Sequence, residues 1–124
     1  MNNKDIEQEI QDKGLTAPRI TPQHIQSVIA GEYYFTAADG VQQSLHKQDE
    51  LTRLCGAHKE IEFLTFCVLV LKNGFTVTGE SACASPANFD AEIGRKIARD
   101  NAVNKIWMLE GYLLKQRLSE VNNG

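Results

Sequence analysis

The segment from Leu64 to Glu80 constrains the fold of this chain more than any other. It consists of two runs rich in β-branched and aromatic residues, LTFCVLVL and FTVTGE, with Asn73-Gly74 between them. Asn-Gly is typical of a two-residue type I′ turn, because both central residues of that turn need positive φ. The sequence therefore predicts an antiparallel hairpin whose strands are joined by Asn73 and Gly74.

A two-residue turn determines which strand residues share a face. It would place Val70 opposite Val77 and Val68 opposite Gly79. Because strand side chains alternate between the two faces, one face is predicted to be the core. That face consists of Phe66, Val68, Val70, Phe75 and Val77. The other face carries Cys67, Leu69 and Leu71 beside Thr76, Thr78 and Glu80. We expect a helix, a further strand or another subunit to cover part of the second face, since a lone hairpin is only marginally stable.

Two shorter helices are predicted before the hairpin. Residues 4–13 are polar with apolar residues four apart, which is typical of a short surface helix. Thr21-Pro22 predicts the start of a second helix, with Thr21 as the N-cap and Pro22 at the first helical position. Gly31 is expected to end that helix.

The region between the second helix and the hairpin is predicted to be irregular. Asp39-Gly40 is a dipeptide that favours turns. Residues 41–62 are mostly polar with scattered leucines, which indicates a loop or a loop with a short helix.

Residues 86–118 have a helical pattern throughout. A continuous helix of that length would reach roughly 50 Å, whereas a domain of this size is roughly 30 Å across. Either the helix breaks near Gly94 or Gly111 and covers two faces of its own core, or it projects and packs against another chain. Its two apolar stripes exceed what one small sheet can bury, which favours a helix-mediated homo-oligomer. The residues predicted at that interface are Gly94, Ala98, Ala102, Ile106, Leu109 and Leu113.

The length and net charge of the chain limit the classes of protein to which it can belong. The chain has 124 residues, which predicts a single domain. The predicted helices and hairpin make it an α+β domain over residues 20–118, preceded by a polar segment (1–19) and followed by a flexible tail (119–124). The formal net charge of −3 argues against general nucleic-acid binding. Basic residues are nevertheless concentrated in 94–118, so nucleic-acid binding through the C-terminal helix is a second hypothesis. The polar start and the short apolar runs predict a cytoplasmic protein with no membrane partner.

Few residues have the spacing of a catalytic or metal site. Cys55 and His58 are separated by two residues, as in metal sites, but structural zinc sites normally combine two such pairs. The sequence contains no phosphate-binding glycine loop and no nucleophile elbow. We therefore predict no cofactor and no catalytic residues, and a small hydrolytic or metal-dependent enzyme is the third hypothesis.

Polar residues cluster at the end of the hairpin and the start of the long helix. Arg95 and Arg99 are four apart and share a helix face, a geometry suited to binding an anion or a phosphate. The alternative is that these arginines pair with Glu92 and with the acidic front half of the chain. The predicted ligand-binding residues are Glu80, Ser81, Asn88, Asp90, Arg95 and Arg99.

Three stretches carry a family resemblance: YFTAADG at 34–40, LTFCVLVLKNGFTVTGESAC at 64–83 and NFDAEIGRKIA at 88–98. They resemble the phage and prophage family named for gene product forty-nine and gene sixty-six of two tailed phages. The resemblance implies a small accessory protein of a phage or prophage, acting in the bacterial cytoplasm. Together with the missing catalytic motifs, it favours a homo-oligomeric binding protein that engages a host protein or a small anionic ligand, in host takeover or counter-defence.

Overall fold

The computed structural model describes residues 3–15, 17–44 and 56–123. Within these ranges the chain combines helices with one antiparallel sheet, which confirms the predicted α+β class. In chain order the elements are α1 (Asn3–Asp12), α2 (Pro22–Ser27), β1 (Ile29–Thr36), α3 (Ala37–Ser44), a 3-10 helix (Lys59–Phe63), β2 (Leu64–Leu71), β3 (Thr76–Ala82), a second 3-10 helix (Pro86–Asn88) and α4 (Ala91–Asn123).

The three strands form a sheet in the order β1-β2-β3, with both neighbouring pairs antiparallel. β2 is therefore the central strand and pairs along its length with β1 as well as with β3. The α4 helix packs across β2 and β3 on one face of this sheet. The sheet thus supplies one wall of the core and α4 supplies the other.

β2 and β3 form the predicted hairpin, but the predicted two-residue turn is wrong. The Leu71 N–H donates to the Phe75 carbonyl and the Gly74 N–H to the Leu71 carbonyl, each at 2.8 Å, so the connection has three residues. Gly74 has φ of 90°, whereas Asn73 does not have positive φ, as a type I′ turn would require. This is the geometry of a type I turn followed by a left-handed glycine. The Asn73 side chain supports it by accepting from the Phe75 N–H at 2.9 Å.

The longer turn shifts the strand register by one residue, so the predicted core face is wrong for β2, whereas Val77 of β3 is buried as predicted. Leu69 pairs with Val77, and Cys67 pairs with Gly79. Cys67, Leu69, Leu71 and Val77 all belong to the buried core. The predicted core residues of β2 lie on the outer face of the sheet, because a one-residue shift exchanges the two faces of one strand relative to the other. The β2 residues on that outer face, all only partly buried, are Phe66, Val68 and Val70.

α2 begins where the sequence predicts and ends earlier. The Thr21 side chain caps it by accepting a hydrogen bond from the His24 N–H at 3.1 Å. The last residue of α2 is Ser27, so the prediction that Gly31 ends the helix is wrong. Gly31 already lies in β1, where it pairs with Val70.

α3 occupies the position at which a turn was predicted, so that prediction is also wrong. Thr36 and Asp39 form a reciprocal cap: the Thr36 N–H donates to Asp39 Oδ2 at 3.0 Å, and the Asp39 N–H donates to Thr36 Oγ1 at 3.1 Å. This pairing satisfies two backbone donors at the helix start, and Gly40 is then accommodated inside α3. Of the predicted loop 41–62, residues 45–55 lie outside the described residues.

α1 confirms the helix predicted over residues 4–13 and packs beside α2. Glu7 is only 6% exposed and forms an ion pair with Arg19, whose Nη1 donates to Glu7 Oε2 at 2.8 Å. This hydrogen bond from Arg19 holds the pKa of Glu7 below its usual value, although burial acts in the opposite direction. Both residues precede residue 20, so this ion pair lies within the N-terminal segment, and the contact of α1 with α2 joins that segment to the rest of the chain.

α4 is continuous over 33 residues, so the alternative of a break near Gly94 or Gly111 is wrong. At about 1.5 Å per residue the helix is roughly 50 Å long, whereas an eight-residue strand spans roughly 26 Å. The helix backbone lies close to the sheet at Gly79, where a Cβ would lie 2.2 Å from the Ala98 carbonyl oxygen.

Candidate functional site

A cleft opens between the end of β1, the start of α3 and the first turns of α4. Its volume is about 140 Å³, close to the roughly 150 Å³ of a cavity that holds one benzene ring. Thr65 of β2 is 3% exposed and forms part of its lining. The other lining residues are Tyr34, Phe35, Thr36, Asp39, Phe89, Ala91 and Arg95. We call this site the α4 cleft.

The α4 cleft contains two groups of opposite charge. Arg95 extends from α4, and Asp39 belongs to the first turn of α3. The ion pairs among the described residues do not include one between these two side chains. Asp39 Oδ2 accepts from the Thr36 N–H, which fixes the carboxylate against the helix start. A guanidinium and a carboxylate thus border one cleft without neutralising each other directly.

Arg99, one turn after Arg95, is engaged with other side chains of the chain. It donates to Glu32 Oε1 from Nη2 at 2.7 Å and from Nε at 2.9 Å, and it donates to Gln26 at 2.8 Å. The hydrogen bonds from Arg99 lower the pKa of the Glu32 carboxyl. This confirms, for Arg99, the alternative that the arginine pairs with the acidic front half.

Tyr34 connects the Arg99–Glu32 ion pair to the α4 cleft. Its hydroxyl donates to Glu32 Oε2 at 3.2 Å, and its ring lines the cleft. Burial is the main cause that raises the pKa of Tyr34 to about 12. Tyr34 therefore stays neutral at physiological pH and serves as a hydrogen-bond donor beside the cleft.

The six predicted ligand-binding residues do not form one cluster. Asp90 caps α4, because its Oδ1 accepts from the Ile93 N–H at 3.0 Å. The Glu80 carbonyl accepts from the Asn101 side chain at 2.8 Å, on the β3 side of α4. Asn101 and Arg99 are two residues apart, which places them about 200° apart around the helix. The predicted residues that do not line the α4 cleft are Glu80, Ser81, Asn88, Asp90 and Arg99.

The suggested metal pair is not assembled among the described residues. Cys55 lies outside them, and His58 is almost fully exposed, with Nδ1 3.9 Å from Glu60. Cys67 is buried in the core and is not exposed beside His58. Within residues 3–15, 17–44 and 56–123, no three His, Cys, Asp or Glu side chains are grouped to hold a metal ion.

The predicted interface stripe of α4 divides into a buried and an exposed part. Ala98, Ala102 and Ile106 are fully buried within the chain. Gly94 is also buried, and a Cβ added there would lie 3.1 Å from the Thr65 hydroxyl oxygen. These four positions are therefore not available on the surface. Leu109 and Leu113 remain partly exposed, and for them the interface stays a prediction.

The side of α4 that faces away from the sheet carries a different stripe. Ile93, Ile97 and Met108 are 55%, 46% and 78% exposed, although all three are large apolar residues. Spacings of three, four or seven residues place them on one helix face with three exposed polar residues. We call this set the α4 outer stripe: Ile93, Ile97, Asp100, Asn104, Met108 and Lys115.

Asp39, Tyr34, Thr36 and Thr65 belong to the α4 cleft but were not predicted as site residues. A sequence signal existed for two of them, since Thr36-x-x-Asp39 has the spacing of a capping box. Such a box predicts a helix start and fixes the carboxylate at its first turn. No signal local to Thr65 could place it beside residues of α3, because that proximity depends on how the strands pair.

The fold and the cleft define a small α+β protein with one sheet face covered by a long helix. The chain belongs to the phage protein family of N4 Gp49 and phage Sf6 gene 66, whose sequence profile matches residues 20–118. No curated protein and no solved structure is significantly similar to the chain. Among the helices of the described residues, none is long and apolar enough to cross a membrane.

Proposed function

We propose that this phage-family protein is a non-enzymatic binding protein that works as a homodimer, with α4 as the dimer contact. The observation that carries this proposal is the α4 outer stripe. Large apolar side chains exposed together in this way are typical of interaction surfaces. In the infected or lysogenic cell, such a dimer would engage a host protein or a small anionic ligand, in host takeover or counter-defence.

A second copy of the chain fits the α4 outer stripe because the stripe is self-complementary in charge. Asp100 precedes Met108 by eight residues, and Lys115 follows it by seven. An antiparallel pair of α4 helices centred near Met108 would therefore place Asp100 of each copy beside Lys115 of the other. Two-fold symmetry requires this kind of reciprocal contact, in which one patch pairs with itself.

The dimer is tested by light scattering coupled to size-exclusion chromatography. Wild type at about 100 μM is expected to have twice the monomer mass if the Kd is micromolar. Ile97→Lys and Met108→Lys should shift the mass toward the monomer, whereas Phe75→Lys, an exposed apolar residue of the hairpin turn, should not. A wild-type monomer at this concentration would refute the proposed assembly.

A charge exchange tests the orientation of the two helices. Asp100→Lys alone and Lys115→Asp alone should each weaken the dimer, because like charges would then face each other. The double variant should restore it, since the exchanged pairs are again of opposite charge. Weakening that is merely additive in the double variant would rule out this antiparallel contact.

The structure offers little support for the second hypothesis, nucleic-acid binding through α4. Lys96 and Arg99 already form ion pairs. Arg95, Lys105 and Lys115 follow each other at intervals of ten residues. Ten residues turn an α-helix through about 1,000°, which leaves successive members about 80° apart instead of on one face. A gel shift at low salt separates the hypotheses, because phosphate-driven binding would appear there and fall steeply as salt is added.

A further inference from the structure

We infer that the α4 cleft binds a small zwitterion of the α-amino-acid type with a compact apolar side chain. This rests on the proposed binding role but takes the small ligand to be a zwitterion and not a simple anion, and it does not depend on the α4 contact between copies. The inference follows from three properties of the cleft: its two opposite charges, its aromatic walls and its size.

The charges of the cleft select against simple anions. Arg99 is turned toward Glu32, so Arg95 is the cation that the cleft retains. A phosphate would meet one guanidinium and also the carboxylate of Asp39, which repels it. A zwitterion satisfies both groups, because its carboxylate can accept two parallel hydrogen bonds from Arg95 and its ammonium group can donate to Asp39.

The aromatic walls provide a site for an apolar side chain. Phe89 lines the cleft and packs edge-on against Phe63, with ring centroids 5.3 Å apart. Tyr34 forms the second wall, and its hydroxyl donates to Glu32 Oε2 at 3.2 Å, whereas the Phe35 ring stacks on Phe66 on the outer face of the sheet. Each wall is therefore held by a neighbouring side chain, which reduces the side-chain entropy that is lost when a ligand binds.

The size of the cleft limits the ligand to a small molecule. Its volume of about 140 Å³ is close to that of a cavity holding one six-membered ring. A side chain the size of leucine can contact the aromatic walls while its polar end lies near the two charged groups. A nucleotide or a longer peptide would extend well beyond the cleft.

The test compares leucine with two analogues that each lack one charge. Isocaproate lacks the ammonium group and isoamylamine lacks the carboxylate, while both keep the apolar side chain. Binding is followed by amide chemical shifts of the full chain at up to about 10 mM ligand, enough to detect a millimolar Kd. Leucine should bind at least tenfold more tightly than either analogue or inorganic phosphate, since each loses one charged hydrogen-bonded contact.

Variants assign the effect to the cleft. Arg95→Gln and Asp39→Asn should each weaken leucine binding about tenfold or more, and the asparagine retains an oxygen that can cap α3. Lys96→Gln is the matched control, because Lys96 is adjacent in sequence and pairs with Glu92. Equal binding of isocaproate and leucine would reduce the site to an anion site and overturn the inference. Absence of leucine binding would overturn it as well, while the mass of the dimer, measured separately, decides the proposed assembly.

Discussion

Gly79→Ala is the substitution whose effect the structure defines most sharply. A Cβ at this position would lie 2.2 Å from the Ala98 carbonyl oxygen and 2.3 Å from the Ala102 nitrogen. Ordinary contact begins at 3.4 Å, so α4 would have to retreat from β3 by about 1.2 Å. Both opposing atoms belong to the helix backbone, so no side-chain rotation can relieve the clash.

The expected cost follows from how much packing this retreat disturbs. An extra methylene in a packed core typically costs about 1–3 kcal/mol. A radial gap of about 1 Å also loses up to roughly half of the dispersion energy of each affected contact. Because Ala98, Ala102 and Ile106 are fully buried on the same side of α4, we expect a loss of at least about 3 kcal/mol in the free energy of unfolding.

Urea denaturation measures this loss, and Gly111→Ala provides the control. Gly111 also lies within α4, but a Cβ there meets no atom within 4 Å. Alanine at that position should stabilise the protein by about 0.5–1 kcal/mol through helix propensity alone. For Gly79→Ala the midpoint should fall by on the order of 1–2 M urea. All variants are compared at one protein concentration, because self-association adds to apparent stability. A Gly79→Ala protein as stable as wild type would refute the close α4–β3 contact.

Three further predictions concern a helix cap and two titrating groups. Thr21→Ala should lower the free energy of unfolding by about 1 kcal/mol in urea denaturation, because the His24 N–H loses its acceptor. Thr21→Ser should retain most of the stability that the cap contributes, because serine keeps a hydroxyl acceptor. Glu32→Gln should lower the free energy of unfolding at neutral pH. The difference in this free energy between the variant and wild type should shrink as the pH falls below 4.5 through the lowered pKa of Glu32. A difference that stays unchanged in acid would contradict the Arg99–Glu32 pairing. The pKa of Tyr34 is raised from 10.0 to about 12, so wild type should lose stability between these pH values relative to Tyr34→Phe. Ionisation is followed by tyrosinate absorbance. Parallel profiles of the free energy of unfolding against pH for the two proteins would refute this.

The sequence determined the elements whose signals are local. Thr21-Pro22 fixes the start of α2, because a cap and a proline at the first helical position act within one turn. The two β-rich runs around Asn73-Gly74 fix a hairpin, since few other structures suit that pattern. The family match was also predictable, because it depends on the residues and not on their arrangement in space.

Tertiary structure decided the hairpin register and with it the core face. Asn73-Gly74 suits a two-residue or a three-residue turn, and the two differ by one residue in pairing. Gly79 shares the inner face of β3 with Val77, and there the α4 and β3 backbones approach more closely than any side chain would permit. That close approach depends on residues about twenty positions apart along the chain, so no local pattern encodes it.

The candidate site depended on tertiary structure in the same way. Arg95 and Arg99 form an equivalent pair in sequence, four residues apart on one helix. Glu32 of β1 binds one of them and leaves the other beside Asp39, on the border of the α4 cleft. Sequence spacing determined that both arginines share a helix face. Which of them stays available to a ligand was decided by the strand and helix that pack alongside, because ion pairing requires proximity that only the folded chain provides.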